Sequence, residues 1–239
     1  MMSFTRLILI LVSGVFFGMS PAVLAQENPD DSISAIADHM HEHLDQVNAI
    51  KAAVIAGRLE DVREPASWLA NHEEPAALPS VAEMRRYAAR AAAAEDLVTA
   101  AAAVSEIARS CGDCHQANGI KVAFGFGAPP TDEFDSVKTQ MQRHLWAADR
   151  MWAGLIGPSD KAWQRGTQIL AEVELVGSDI SAASGQQTQI GKLVERAKAV
   201  GKQGNQAASV ELRSGLYGEF LSLCATCHSL TGQGPEAAQ

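Results

Sequence analysis

Cys111-Gly112-Asp113-Cys114-His115 and Cys224-Ala225-Thr226-Cys227-His228 are two copies of one short pattern, and together they use all four cysteines of the chain. Two thiols followed directly by an imidazole are what covalent haem attachment needs. The thiolates form thioethers with the vinyl groups, and the adjacent imidazole binds the iron. Two Cys-x-x-Cys pairs are also compatible with one zinc tetrathiolate or with redox disulfides. Neither alternative explains a histidine after the second cysteine in both copies. The pattern therefore predicts two covalently bound haem c groups, held by Cys111, Cys114, Cys224 and Cys227, with His115 and His228 as proximal iron ligands.

The sixth iron position has to be filled from upstream, because the 11 residues after the second motif contain neither His nor Met. An internal repeat supplies the candidates. Met40-His41-Glu42-His43-Leu44 aligns with Met141-Gln142-Arg143-His144-Leu145, and the match extends without gaps. Ile33, Ile36, Met40, His43, Val47, Ile50 and Val54 fall opposite Phe134, Val137, Met141, His144, Ala148, Met151 and Leu155. The steps of three and four residues describe one buried helical stripe, presented twice. Only Met40/Met141 and His43/His144 recur as iron-ligand types on it. His43 and His144 are the preferred distal ligands, Met40 and Met141 the alternative one helical turn away, and an open or water-bound iron the third outcome. A methionine raises the potential, a second imidazole leaves it lower, and an open position admits small gases. His39 and His41 stand opposite Gln140 and Gln142, off the stripe, and read as solvated. His72, opposite Val173, reads as a terminal charge on a helix.

These residues need elements to position them. Asp30 and Thr131 are N-cap types at equivalent positions; Gly57 and Gly157-Pro158 are stop signals. Further helices are predicted over 59–71 and 160–176, 81–94 and 187–200, and 96–117 and 207–230. In the last pair Leu97, Val104, Ile107 and Cys111 match Val210, Tyr217, Phe220 and Cys224. The stretches 177–189 and 201–205 read as loop and turn. Alanine is abundant and aromatic residues are only 5% of the chain, which suits helix throughout. The fold class is all-α: two tandem four-helix bundles, each with a c-type haem near the C-terminal end of its last helix. Up-and-down packing brings the first helix of each bundle beside the fourth, and so Met40 and His43 near Cys111–His115, and Met141 and His144 near Cys224–His228.

Residues 1–25 read as a secretory signal, with Arg6, an apolar run from Leu7 to Met19, and a cleavage site after Ala25. A retained N-terminal anchor is the alternative. The first bundle is expected over 26–118, a linker over 119–130, and the second bundle over 131–239. Phe124 and Phe126 in the linker, like Trp68, Trp146, Trp152 and Trp163, suit ordinary apolar packing. No later segment is long and apolar enough to span a bilayer, so the mature chain is not expected to insert into a membrane. The formal charge of −9 argues against nucleic acid and suits a partner with a basic docking surface.

With the motifs at the C-terminal end and Met40/His43 and Met141/His144 on the first helix, each half resembles the class II c-type cytochromes, the four-helix-bundle family of cytochrome c′ and cytochrome c556. The resemblance covers nearly all of the mature chain. The halves are shorter than the family norm, with 72 residues from His43 to His115 and 84 from His144 to His228, and single-haem members are usual. The resemblance implies either a methionine ligand on the first helix or an apolar residue there that leaves the iron five-coordinate. It also implies export, since haem c is attached outside the bacterial cytoplasm. The expected function is a periplasmic dihaem electron carrier working by outer-sphere transfer between redox partner proteins. The alternative is a gas-binding or sensing protein with an open iron. An enzyme is not expected: no acid–base pair is repeated near the haem motifs, and Glu42, Asp45 and Arg143 read as surface charge.

Overall fold

The computed structural model describes residues 29–73, 79–131, 136–175, 180 and 185–235. The segment at 1–25 and Phe134 lie outside the described residues. Among the described residues every regular element is helical: α1 (Pro29–Ala56), a 3₁₀ turn (Glu60–Val62), α2 (Arg63–Asn71), α3 (Pro79–Ala92), α4 (Leu97–Ala117), α5 (Val137–Ile156), α6 (Asp160–Glu172), α7 (Gln187–Gly204) and α8 (Val210–Thr231). None of these helices is long and apolar enough to cross a membrane. Residues 39–239 form one compact unit, and residues 1–38 fall outside it.

The helix starts follow from side-chain caps. Asp96, Ser136, Ser159 and Ser209 accept hydrogen bonds from the backbone N–H of Thr99, Thr139, Ala162 and Leu212, each satisfying a donor that the first turn leaves orphaned. Thr131 is therefore not the cap of α5. It stays outside the helix, where its carbonyl and that of Pro130 accept from Arg143 Nη1. That contact also corrects Arg143 from surface charge to a buried group, 1% exposed. Asp30 lies inside α1, which begins one residue earlier. Gly57, at φ +75°, follows α1 in the left-handed region that favours glycine.

The repeated stripe is buried where it was expected, through Val47, Ile50 and Val54 on α1 and Ala148, Met151 and Leu155 on α5. At its N-terminal end Ile36 departs from it and is 57% exposed. The 201–205 segment is not a turn from its start, because α7 continues to Gly204. A Cβ on Gly201 would stand 2.5 Å from the Ala171 nitrogen, and one on Gly204 would stand 2.4 Å from the Thr167 methyl. These glycines act as close-approach positions between α6 and α7, and Trp163 Nε1 donates to the Gly204 carbonyl at 2.8 Å.

In the second half, α5 packs on α6, α6 on α7, α7 on α8, and α8 back on α5. In the first half, α2 packs on α3 and α3 on α4. The two halves share a core through α4 against α8 and α4 against α5. Gly218 lies in the α4–α8 crossing, where a Cβ would meet Ser105 Oγ at 2.8 Å. Ser214 of α8 donates to Glu106 of α4 at 2.8 Å.

Contacts between α1 and α5 are reciprocal. Trp152 Nε1 donates to Asn48 Oδ1 at 3.1 Å, and Lys51 Nζ donates to Asp149 Oδ1 at 2.7 Å. In the gapless alignment Asn48 is the counterpart of Asp149, and Lys51 of Trp152. The same two positions thus meet each other in both directions, the signature of a two-fold interface. The linker residues pack on α5 beside α6: Trp146 Nε1 donates to the Gly127 carbonyl at 3.2 Å, and Phe126 lies under the Arg150 guanidinium.

Candidate cofactor sites

Both motifs lie wholly within helices, near the ends of α4 and α8. Positions three and four apart share a helix face, so the two cysteines and the histidine of each motif present their side chains together. All four thiols are free and half-buried. Burial pushes the Cys111 and Cys224 thiols up to about 12, and the neighbouring thiol of each motif adds to the shift. They are neutral thiols in apolar surroundings, unlike the exposed thiolates of redox dithiols.

The two motif imidazoles make the same bond. His115 Nδ1 lies 2.7 Å from the Ile156 carbonyl, and His228 Nδ1 lies 2.5 Å from the Ile55 carbonyl. A carbonyl only accepts, so each Nδ1 carries a proton and donates, and in the neutral ring Nε2 then holds the lone pair. That is the tautomer and orientation a metal-binding imidazole needs. Ile55 and Ile156 are equivalent residues of the repeat, at the last turns of α1 and α5. Each motif therefore takes its backbone partner from the other half of the chain. Burial holds His228 below its ordinary value, and the bond to Ile55 opposes the shift.

Gly112 makes the first of these contacts possible. A Cβ there would stand 2.1 Å from the Leu155 carbonyl, next to the one that His115 uses. The charges beside this motif are also paired. Arg109 donates to Asp113 at 2.7 Å and to Glu106 at 2.9 Å.

A cavity of about 400 Å³ opens beside the second motif, within the usual range for small-molecule and cofactor sites. Cys224, Cys227 and His228 form one side, and Met141, His144, Leu145 and Ala148 of α5 another. Leu193, Val194 and Ala197 of α7 and Phe220 and Leu223 of α8 make the remaining wall largely apolar. The expected association of Met141 and His144 with Cys224–His228 is thus present as one lined space. The His144 ring lies 5.9 Å from that of Phe220. Removal from water pushes His144 down to about 4, with His228 and Lys198 adding. It is neutral at pH 7, with its lone pair available.

On the first half the equivalent imidazole packs among other rings. His43 is buried, and its ring lies 4.4 Å from His39, 5.8 Å from His72 and 5.8 Å from Trp68. His72 ends α2 and stacks on Trp68 at 3.9 Å. This corrects the reading of His39, which is half-buried beside His43 and not solvated, whereas His41 is exposed as expected. Met40, one turn before His43 on the stripe, is half-buried. Its counterpart Met141 lines the second cavity.

The residues that sequence reasoning missed are Ile55 and Ile156, which act through backbone carbonyls that carry no side-chain signature. Their signal was positional, since the repeat makes them equivalent. Comparison with protein-family models, with curated proteins and with solved structures returns no match to this chain.

Proposed function

We propose that the chain is an exported dihaem c-type cytochrome, built as two four-helix bundles in tandem, that carries electrons by outer-sphere transfer. The observation that carries this reading is the matched pair of imidazoles. Each stands one residue after a Cys-x-x-Cys pair, and each has Nδ1 donating to an equivalent carbonyl, so that Nε2 is free. The donor set fits the group: two thiols and an imidazole on one helix face, and in the second half a largely apolar cavity with a neutral imidazole and a methionine opposite. When bound, haem iron supplies a one-electron couple.

The chain's own residues then hold the group and set its energy. Cys111, Cys114, Cys224 and Cys227 would tether it, and His115 and His228 would bind the iron. His144 would supply the second ligand in the second half. In the first half Met40, the counterpart of the cavity-lining Met141, would do so, because His43 packs among the rings of His39, His72 and Trp68. A His–Met pair raises the potential relative to a His–His pair. The site with the methionine would then have the higher potential of the two. The acidic surface steers docking to a basic partner.

The test is the absorption spectrum of the haem-loaded protein, oxidised and reduced, with and without carbon monoxide, together with a redox titration. We expect no response to carbon monoxide and two separated potentials. His144→Ala is expected to make the lower-potential haem high-spin and reactive to carbon monoxide, and Met40→Ala to remove the higher-potential wave. Ready binding of carbon monoxide by the unaltered protein would replace electron carriage with gas binding.

A further inference from the structure

The first half contains a three-histidine cluster that the second half lacks. His39 and His43 are four residues apart on α1, so they share a helix face. His72 joins them from the end of α2, where the backbone has turned extended at φ −60° and ψ 139°. One ring nitrogen from each lies within 4.8 Å of the others. A borderline divalent cation bound at 2.0–2.1 Å needs its donors about 3.4 Å apart, a distance that small ring rotations can reach.

Two neighbours prepare the cluster. Trp68 stacks on His72 with an interplanar angle of 20°, which holds the ring in orientation and walls one side from water. Glu42 Oε2 lies 4.0 Å from His72 Nε2, close enough that a side-chain rotation would let it accept the ring proton that a ligating imidazole donates outward. In the second half the three equivalent residues are Gln140, His144 and Val173, so the repeat supplies an internal control without a triad.

We propose that His39, His43 and His72 form a binding site for a divalent transition cation of the zinc or copper class, separate from both haem motifs. Three imidazole donors suit these ions, and the fourth position falls to water. The proposal rests on Met40, not His43, serving the first iron.

The experiment uses tag-free, haem-loaded protein titrated with Zn²⁺ by calorimetry and with Cu²⁺ by electron paramagnetic resonance, while the haem absorption is followed. We expect one cation per chain, with nitrogen hyperfine structure for copper and an unchanged haem spectrum. His72→Ala should weaken binding by about 100-fold and Glu42→Gln by about tenfold, with His41→Ala neutral. No saturable binding, or binding indifferent to both His39→Ala and His72→Ala, would overturn the site. Saturable binding that depends on His72 but turns one haem high-spin would support the site and overturn the Met40 assignment.

Discussion

A histidine bound through Nδ1 to a backbone carbonyl differs from one exposed to water in a way that a sequence cannot display. The motif spacing singled out His115 and His228 as candidate ligands, because two thiols and an imidazole on one helix face have few other uses. It did not reveal the carbonyls of Ile156 and Ile55, since every residue has one and only packing chooses which is met. The ring neighbours of His43, Trp68 on α2 and His72 just after it, were equally hidden, since the stripe that His43 shares with His144 does not display them. Gly112 brings such a contact within reach of experiment. A methyl group there would meet the Leu155 carbonyl at 2.1 Å, so the end of α4 must move off the end of α5. Gly112→Ala is expected to cost about 1–3 kcal/mol of stability and to change the environment of the His115 imidazole. Denaturant unfolding and the His115 ring resonances would register the two effects, with Ala225→Gly as the milder converse.

Helix ends were partly readable. Gly57 stops α1, and Asp96 caps α4, as their residue types suggest. Ser136 displaced Thr131 at the start of α5 because Arg143 holds the preceding chain along the helix, a contact between residues 12 and 13 apart. Gly201 and Gly204 looked like a turn because glycine is ambiguous between bending a chain and letting two helices approach. The Asp96 cap predicts a pH dependence. Its carboxyl is held below the ordinary value of 3.8, chiefly by the Thr99 backbone N–H and then by the Thr99 hydroxyl. A carboxyl lowered on folding stabilises the native state above its unfolded value, and that contribution is lost as pH falls through the folded value. Asp96→Ala should therefore lower Tm at pH 7, and the deficit should shrink as the pH drops below 3.8. Asp96→Asn should keep most of the cap and lose this pH dependence. Thermal melts of the three proteins across pH would check both expectations.

The composition and the repeat made an all-helical chain with two equivalent halves readable, but not the way the halves meet. Each carries half of every important contact: His115 with Ile156, His228 with Ile55, Lys51 with Asp149, and Ser214 with Glu106. With a core shared through α4 and α8, residues 39–239 should unfold in one cooperative transition, and calorimetric and van't Hoff enthalpies should agree. Two resolved transitions would mean that the halves are energetically separate. Lys51 is nearly buried and its partner Asp149 is partly open to solvent, so Lys51→Ala should lower the single transition by about 1–2 kcal/mol.

The reciprocal pairing of α1 and α5 also determines which halves recognise each other. Lys51 Nζ lies 5.1 Å from the centre of the Trp152 ring, and these are equivalent positions. A pairing of two first halves would set lysine against lysine there and leave both without a carboxylate. A pairing of two second halves would set tryptophan against tryptophan, with two aspartates lacking a cation. Only the mixed pairing gives the lysine both an aromatic face and an acid, and gives the indole N–H an amide oxygen. The unlike residues at equivalent positions thus make each half the better mate of the other.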